Sequence, residues 1–423
     1  MKNPEKSKKD LHDAETVKQT ELLTTAQLSL DSGGMSINLF LAGEDSPETG
    51  GASLETGKDD AVFKVLSERE KSKYRVRQVI GRGGMGVIMD ARDLNIRRSV
   101  AMKMMIDPET ATRADIMRFI EEAQITGQLE HPGIVPVYEL GVDNDGKVYY
   151  TMKYLRGVSL KRILREILDE SPGMEQRYPL NRLLTIFQKA CDAVAFAHSR
   201  GVVHRDLKPE NIMVGDYGEV LLVDWGLAKP IWHNNNVRFP TVEEEEEDPP
   251  VSETEVNGGG NGIDSVRLDP KNPQLMTLAG NVMGTPQFMA PELARGKSDS
   301  AHELSDVYAM GAVLYNILTL YPPIIESDTR LALEKASVGE IPHPSVYNRA
   351  AAANLDRDDI DPETSSRGSA PVRLPHCPGN RIPDPLAAVA MKALSIEPGD
   401  RYGSVKDMQR DVEAYQSGFA TSV

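Results

Sequence analysis

The stretch that most constrains this chain is Val202-Val203-His204-Arg205-Asp206-Leu207-Lys208-Pro209-Glu210-Asn211. It follows an apolar helical pattern and crowds charged, titratable and amide side chains into one short loop. Asp206 and Asn211 are five apart, with Lys208 between them. A carboxylate that accepts a hydroxyl proton, an ammonium that neutralises a moving phosphoryl group and an amide oxygen that binds Mg²⁺ are what phosphoryl transfer needs together. A solvated polar loop is the rival reading of the same letters, and the rest of the chain decides between them.

Order begins near Tyr74, where Tyr74-Arg75-Val76-Arg77-Gln78-Val79-Ile80 alternates as a strand does. Gly81-Arg82-Gly83-Gly84-Met85-Gly86-Val87-Ile88 follows and runs into Met89-Asp90-Ala91-Arg92, a second strand. The letters G-x-G-x-x-G also occur in dinucleotide-binding turns, but those open a helix and place an acidic ribose ligand on a second βα unit. Here the sequence stays β-like beyond Ile88, so the reading is a hairpin whose missing Cβ atoms let backbone approach phosphates. A third strand, Ser99 to Met105, carries Lys103 among apolar neighbours. An outward lysine on an edge strand is the plain alternative. Pro108 to Gln128 reads as a helix, in which Glu121 and Glu122 compete as the partner of Lys103.

Val148 to Leu155 is apolar and β-like, and Arg156-Gly157-Val158-Ser159-Leu160 breaks it and starts a helix. Asn181 to Arg200 is amphipathic and delivers the loop at Val202. A short hairpin, Ile212 to Val214 and Val220 to Val223, leads to Asp224-Trp225-Gly226. Farther on stand Gly284-Thr285-Pro286-Gln287-Phe288-Met289-Ala290-Pro291-Glu292, then Ser305-Asp306-Val307-Tyr308-Ala309-Met310-Gly311, then Glu397-Pro398-Gly399-Asp400-Arg401-Tyr402.

In this order the motifs resemble those of the protein kinases, in particular bacterial, Hanks-type serine/threonine protein kinases: the glycine loop, Val100-Ala101-Met102-Lys103, H-R-D-x-x-x-x-N, D-W-G in the place of D-F-G, and G-T-P-x-F-x-A-P-E. The resemblance implies an α+β, two-lobed fold. A small antiparallel-sheet lobe with one helix would span 74–152, and a larger, mainly helical lobe 156–415, with ATP between them. It implies that Ile80, Gly81, Gly83, Gly84 and Gly86 cover the nucleotide. Ile88, Ala101 and Met213 sandwich the adenine, Met152 is the gatekeeper, and Lys153, Tyr154 and Leu155 offer backbone groups. Kinases often carry an acid where Lys153 stands, a departure without effect on backbone bonds. Lys103 contacts the α/β-phosphates. The R-F-x-x-E-A-Q pattern puts its partner at Glu122, leaving Glu121 outward and solvated. Asn211 and Asp224 bind Mg²⁺, with Mn²⁺ as the alternative metal. Asp206 accepts the substrate proton and Lys208 stabilises the γ-phosphoryl. Asp306 bonds the loop backbone, and Glu292 pairs with Arg401. The expected activity is transfer of the γ-phosphoryl of ATP to Ser/Thr hydroxyls of proteins, with autophosphorylation. Arg205 before the catalytic Asp marks kinases whose activation segment is ordered by a phosphate. No Ser or Thr lies between Gly280 and Thr285, so Thr277 is the candidate phosphosite.

Lys plus Arg number 48 and Asp plus Glu 64, a net charge of −16. That balance argues against nucleic acid or an anionic membrane as partner. No apolar run approaches the ~20 residues of a membrane span, and the charged N-terminus lacks the apolar core of a secretory signal. Two widely separated cysteines, Cys191 and Cys377, form neither a disulfide framework nor a metal site and fit a reducing, cytoplasmic setting. Residues 1–73 read as a disordered extension; its apolar patch from Leu28 to Leu41 is either a docking segment or stray apolar residues. Two insertions are expected, at about 231–278 and 342–381. The first holds the acidic run Glu243 to Asp248, read as a spacer, as a charge donor to Arg205, or as an attractor of basic substrates. A tail over 416–423 leaves no room for a further domain. The rival function is a pseudokinase scaffold, which requires a missing Lys, Asp or Asn. A small-molecule kinase is opposed by the G-T-P-x-F-x-A-P-E segment.

Overall fold

The computed structural model describes residues 73–82, 86–105, 111–143, 146–231, 284–296, 302–326, 328–353 and 372–423. The N-terminal extension, Gly83, Gly84, Thr277 and the Glu243–Asp248 run lie outside the described residues.

The smaller lobe is built on an antiparallel sheet of β1 (Tyr74–Arg82), β2 (Gly86–Asp93), β3 (Ser99–Met105), β4 (Val137–Val142) and β5 (Val148–Lys153), in the order β1-β2-β3-β5-β4. Alternation along the strands sorts it into two faces. Met89, Ala91, Val100 and Met102 form one buried cluster. Met105 and Tyr150 join Phe119 and Ala123 of helix α1 (Arg113–Gln128) in another. α1 starts at a capping box: Thr112 Oγ1 accepts from Asp115 N–H, and the Asp115 carboxylate accepts from Thr112 N–H. The register sets Ile88 opposite Lys103, Lys103 opposite Tyr150 and Ala101 opposite Met152, on the face that meets α1.

The larger lobe is helical: α2 (Leu160–Leu168), α3 (Leu180–Ser199), α4 (Glu303–Thr319), α5 (Thr329–Val338), α6 (Ser345–Ala353), α7 (Asp384–Ala393) and α8 (Val405–Gln416). α3 buries Leu183, Leu184, Phe187, Ala190, Cys191 and Val194. α4 is buried from Ser305 to Thr319, so it runs through the lobe's interior rather than along its surface. After α3, Gly201 at φ +72° turns the chain into β7 (Val202–Val203). Strand β7 pairs with β10 (Lys229–Pro230), while β8 (Ile212–Gly215) lies between β6 (Gly157–Ser159) and β9 (Val220–Leu222). The polar loop 204–211 is thus strung between two short ribbons. Ile212 lies opposite Leu222, and Val223 N–H donates to Asn211 C=O at 2.9 Å, so the hairpin returns Asp224 toward Asn211. The architecture is the expected two-lobed α+β fold. Among the described residues, no helix is long and apolar enough to cross a membrane.

The stretch expected as a second loop insertion, 342–381, differs. It contains α6, and Val372, Leu374, His376 and Cys377 are all buried. His376 C=O accepts from Leu180 N–H at 2.9 Å at the start of α3, and His376 Nε2 donates to Ile317 C=O at 2.8 Å on α4. Arg373, Pro375 and Pro378 are interleaved with Val372, Leu374 and Cys377 and conceal the residues that plug the lobe. Burial pushes the His376 imidazole down to about 4, against the pull of the Ile317 and Leu318 carbonyls. An unfolded histidine protonates near 6.5 and this one near 4, so the unfolded state binds the extra proton in between and stability falls as pH falls through that window. Urea unfolding at pH 7 and pH 4.5 should show wild type losing about 2–3 kcal/mol more than His376→Asn over that interval. Equal losses would remove His376 from the account.

Candidate active site

The polar loop is fixed from outside by α4. Asp306, fully buried, accepts at Oδ2 from His204 N–H at 2.8 Å and from His198 Nε2 at 2.9 Å, and at Oδ1 from Arg205 N–H at 3.0 Å. Burial alone would raise its carboxyl, but the bond and charge of His198, with His204, hold it below the ordinary range. Arg205 and Asp224 have φ of +68° and +63°. That left-handed region costs a non-glycine residue about 1–3 kcal/mol, a strain that surrounding structure must hold. The bond from Asp306 to Arg205 N–H is one such restraint. The His204 ring packs on the buried indole of Trp225, centroids 4.5 Å apart, and its Nδ1 accepts from Asp206 N–H at 3.3 Å. Burial lowers the His204 pKa, with Asp306 and Asp206 opposing, so the ring is a neutral brace.

Asp206 presents both oxygens to donors. Lys208 Nζ donates to Oδ2 at 2.6 Å, and Thr285 N–H and Oγ1 donate to Oδ1, both at 3.1 Å. Lys208 also donates to Thr285 Oγ1 at 2.8 Å, closing a triangle of carboxylate, ammonium and hydroxyl. Asn211 Nδ2 donates to Asp206 C=O at 2.9 Å, which leaves its amide oxygen as the group able to accept or to bind a cation. With Asp224 returned by the β8–β9 hairpin, the chain offers an amide oxygen and a carboxylate. That oxygen pair fits Mg²⁺, which takes one or two protein oxygens and completes its shell with phosphate and water. Among the described residues no cluster of three or more His, Cys, Asp or Glu forms a dedicated metal cage.

Across the cleft, Lys103 Nζ donates to Glu122 Oε1 and Oε2 at 2.6 and 2.7 Å, and Tyr150 Oη donates to Glu122 Oε1 at 2.8 Å. Gly226 makes room for this group: a Cβ there would stand 3.2 Å from Glu122 Oε2 and 3.5 Å from Asp224 Oδ1. Glu121, expected outward and solvated, is instead buried at 4% exposure. α1 is buried over five consecutive residues, Phe119 to Ala123, and at 3.6 residues per turn that run closes the whole circumference. Adjacent acids therefore both lie inside.

The other residues expected to meet nucleotide stand on β1, β2, β3 and β8 and at the end of β5. Gly86 starts β2 so close to β3 that a Cβ would meet Met104 C=O at 2.7 Å. Ile88 neighbours Lys103 in the sheet, and the Gly81 position faces the Ile88 side chain. Ala101 is buried and Met152 half-buried beside it, with Lys153 ending β5 and Tyr154 and Leu155 half-buried just beyond. Met213 lies on β8, half-buried, opposite Leu221. Ile80 is exposed at the outer strand of the sheet. Away from the cleft, Arg401 makes a bidentate pair with Glu292 at 2.9 and 2.8 Å. Tyr150 and His198 were not singled out from the sequence. Tyr150 lies in an apolar run, and only the β3–β5 register brings it to Glu122; His198 ends an amphipathic helix and meets Asp306 across 108 residues.

Residues 74–245 match the family described as protein kinase domain. The chain is 34% identical over 352 residues to serine/threonine-protein kinase PknD of Chlamydia trachomatis, covering 82% of this chain and 32% of that protein. It is 33% identical over 349 residues to PknD of Chlamydia muridarum, at 82% and 32% coverage, and 32% identical over 349 residues to PknD of Chlamydia pneumoniae, at 82% and 31%. The chain thus spans about a third of the length of these curated relatives. The two-lobed fold, the ordered motifs and this similarity together mean that the chain carries a domain of the protein kinase family, similar to those of bacterial serine/threonine-protein kinases.

Proposed function

We propose that this chain, through a catalytic domain over 74–415, transfers the γ-phosphoryl group of ATP to Ser/Thr hydroxyls of proteins in the cytoplasm. The observation that carries the reading is the triangle of Asp206, Lys208 and Thr285 set beside Asn211. It supplies a proton acceptor, a cation and a metal-facing oxygen within a few ångströms. Lys103, braced by Glu122, orients the α/β-phosphates, and backbone from Lys153 to Leu155 receives the adenine. Asn211 and Asp224 would hold Mg²⁺, which supplies positive charge to the phosphates when bound. Asp206 orients the incoming hydroxyl and takes its proton; Lys208 neutralises charge as the phosphoryl group moves. Positioning and fixed charge account for most of the acceleration in such a site. A scaffold without catalysis lacks support from the residues, since each role has its side chain. Autophosphorylation, with Thr277 as candidate, belongs to the same reading.

The test is an ATP/Mg²⁺ assay on mixed Ser, Thr and Tyr peptides, with products and the protein itself mapped by mass spectrometry. Phosphate should appear on Ser and Thr, and Lys103→Met should reduce the rate at least a hundredfold, within the range that lost electrostatic stabilisation produces. Product on Tyr alone, or an unimpaired Lys103→Met, would overturn the reading.

A further inference from the structure

Glu122 carries more bonds than a partner for Lys103 requires. Its carboxylate is 2% exposed and accepts from the ammonium at both oxygens, and Oε1 also accepts from Tyr150 Oη at 2.8 Å. Lys103 and Tyr150 are direct neighbours across β3 and β5, so ammonium and hydroxyl reach one carboxylate from adjacent strands. The Tyr150 ring is held in turn. It is 4% exposed and packs on Phe119 of α1, centroids 5.3 Å apart. Lys103 Nζ lies 5.9 Å from the Phe119 centroid and 5.8 Å from that of Tyr150. Burial, then the charge of Glu122, drive the Tyr150 hydroxyl well above its ordinary pKa, so it remains a donor at any working pH.

We propose that Tyr150 is a positioning residue for nucleotide: it holds Glu122 so that Lys103 can turn an N–H to the phosphates without stranding a buried carboxylate oxygen. The argument is a count of donors. An ammonium has three N–H bonds. Two are committed to Glu122 and one remains, so a polyphosphate that takes two contacts from Lys103, to its α- and β-phosphates, draws one N–H away from the carboxylate. If the ammonium leaves Oε1 and nothing else donates there, a buried charged oxygen is left unpaired, a large loss. With Tyr150 in place Oε1 keeps a donor throughout. The same bond ties α1 to β5 directly, so the inward position of Glu122 does not depend on Lys103 alone. The inference rests on the proposed reading that Lys103 meets the phosphates of ATP.

Tyr150→Phe removes the hydroxyl and keeps the ring. The measurement is calorimetric affinity for a non-hydrolysable ATP analogue with Mg²⁺, alongside kcat, KM for ATP and thermal unfolding of each variant. Affinity should fall about tenfold and KM rise by a similar factor, as a lost hydrogen bond to a charged group implies, with kcat changed far less. In a Glu122→Gln background the same substitution should have little further effect, because residues acting through one group are not additive. Unchanged affinity in Tyr150→Phe, whatever happens to its melting temperature, would overturn the proposal, as would an equal loss in both backgrounds. Wild-type protein that fails to bind the analogue at all would instead bring down the kinase reading, and this inference with it.

Discussion

Asp206→Asn should lower kcat by about a thousandfold, in the middle of the range that positioned acid–base groups contribute, while nucleotide affinity stays near that of wild type. The substitution preserves shape and removes the two properties the proposed mechanism uses. A neutral amide cannot take the hydroxyl proton. It also cannot present two acceptor oxygens to the donors that converge here, Lys208 Nζ on Oδ2 and Thr285 N–H and Oγ1 on Oδ1. Whichever way the amide turns, an NH₂ faces a donor, so the triangle with Lys208 and Thr285 opens. The nucleotide contacts proposed for Lys103 and the strand end at Lys153 lie on the other lobe and should be untouched. Single-turnover phosphoryl transfer and analogue binding separate the two effects. A variant that turns over within tenfold of wild type would remove Asp206 from the role of base.

The second large effect concerns stability. Glu292→Ala should destabilise the protein by about 3–5 kcal/mol, because removing one member of a buried ion pair leaves the other charge uncompensated. Arg401 is completely enclosed, and each of its N–H groups has an acceptor: Nε on Ser395 C=O, Nη1 on Glu292 Oε1 and Leu304 C=O, Nη2 on Glu292 Oε2 and Ile396 C=O. Ser305 Oγ adds a bond to Glu292 Oε1 at 2.8 Å. Arg401→Met should therefore cost at least as much as Glu292→Ala, since three backbone carbonyls lose donors as well as the carboxylate. Burial would raise the Glu292 carboxyl, but the bond and charge of Arg401 overcome it and hold it below 4.5. The sign follows: the pair's contribution is complete above pH 4.5 and is lost as pH falls through the depressed value. Chemical denaturation at pH 7 measures both substitutions. A loss under 1 kcal/mol for either would mean that the enclosure yields to water.

Much of the site was legible because its chemistry is local. Asp206, Lys208 and Asn211 share six residues of chain, so their spacing alone brought proton acceptor, cation and amide together. Lys103 and Glu122 needed only one strand and the following helix. What stayed hidden depends on distant register and on how completely an element is enclosed. Tyr150 reads as one more residue of an apolar strand until β5 is laid against β3. Glu121 reads as an exposed acid until α1 is found buried on every side near its middle. The run from Val372 to Cys377 reads as loop by composition, because Arg373 and Pro375 are interleaved with Val372 and Leu374, which fill the larger lobe.

Asp306 has one more consequence, for how the chain tolerates change in length. Its carboxylate closes a circuit of 102 residues back to His204 N–H and 101 back to Arg205 N–H. The entropy lost in closing such a circuit grows only with the logarithm of its length, about 0.6 kcal/mol for each doubling. Two hydrogen bonds to one buried carboxylate outweigh that increment. Between Asp224 and Thr285, whose places the site itself fixes, the circuit can therefore gain or lose residues while Asp206 stays at its post. A change of length there is compatible with the very circuit that fixes the reacting groups.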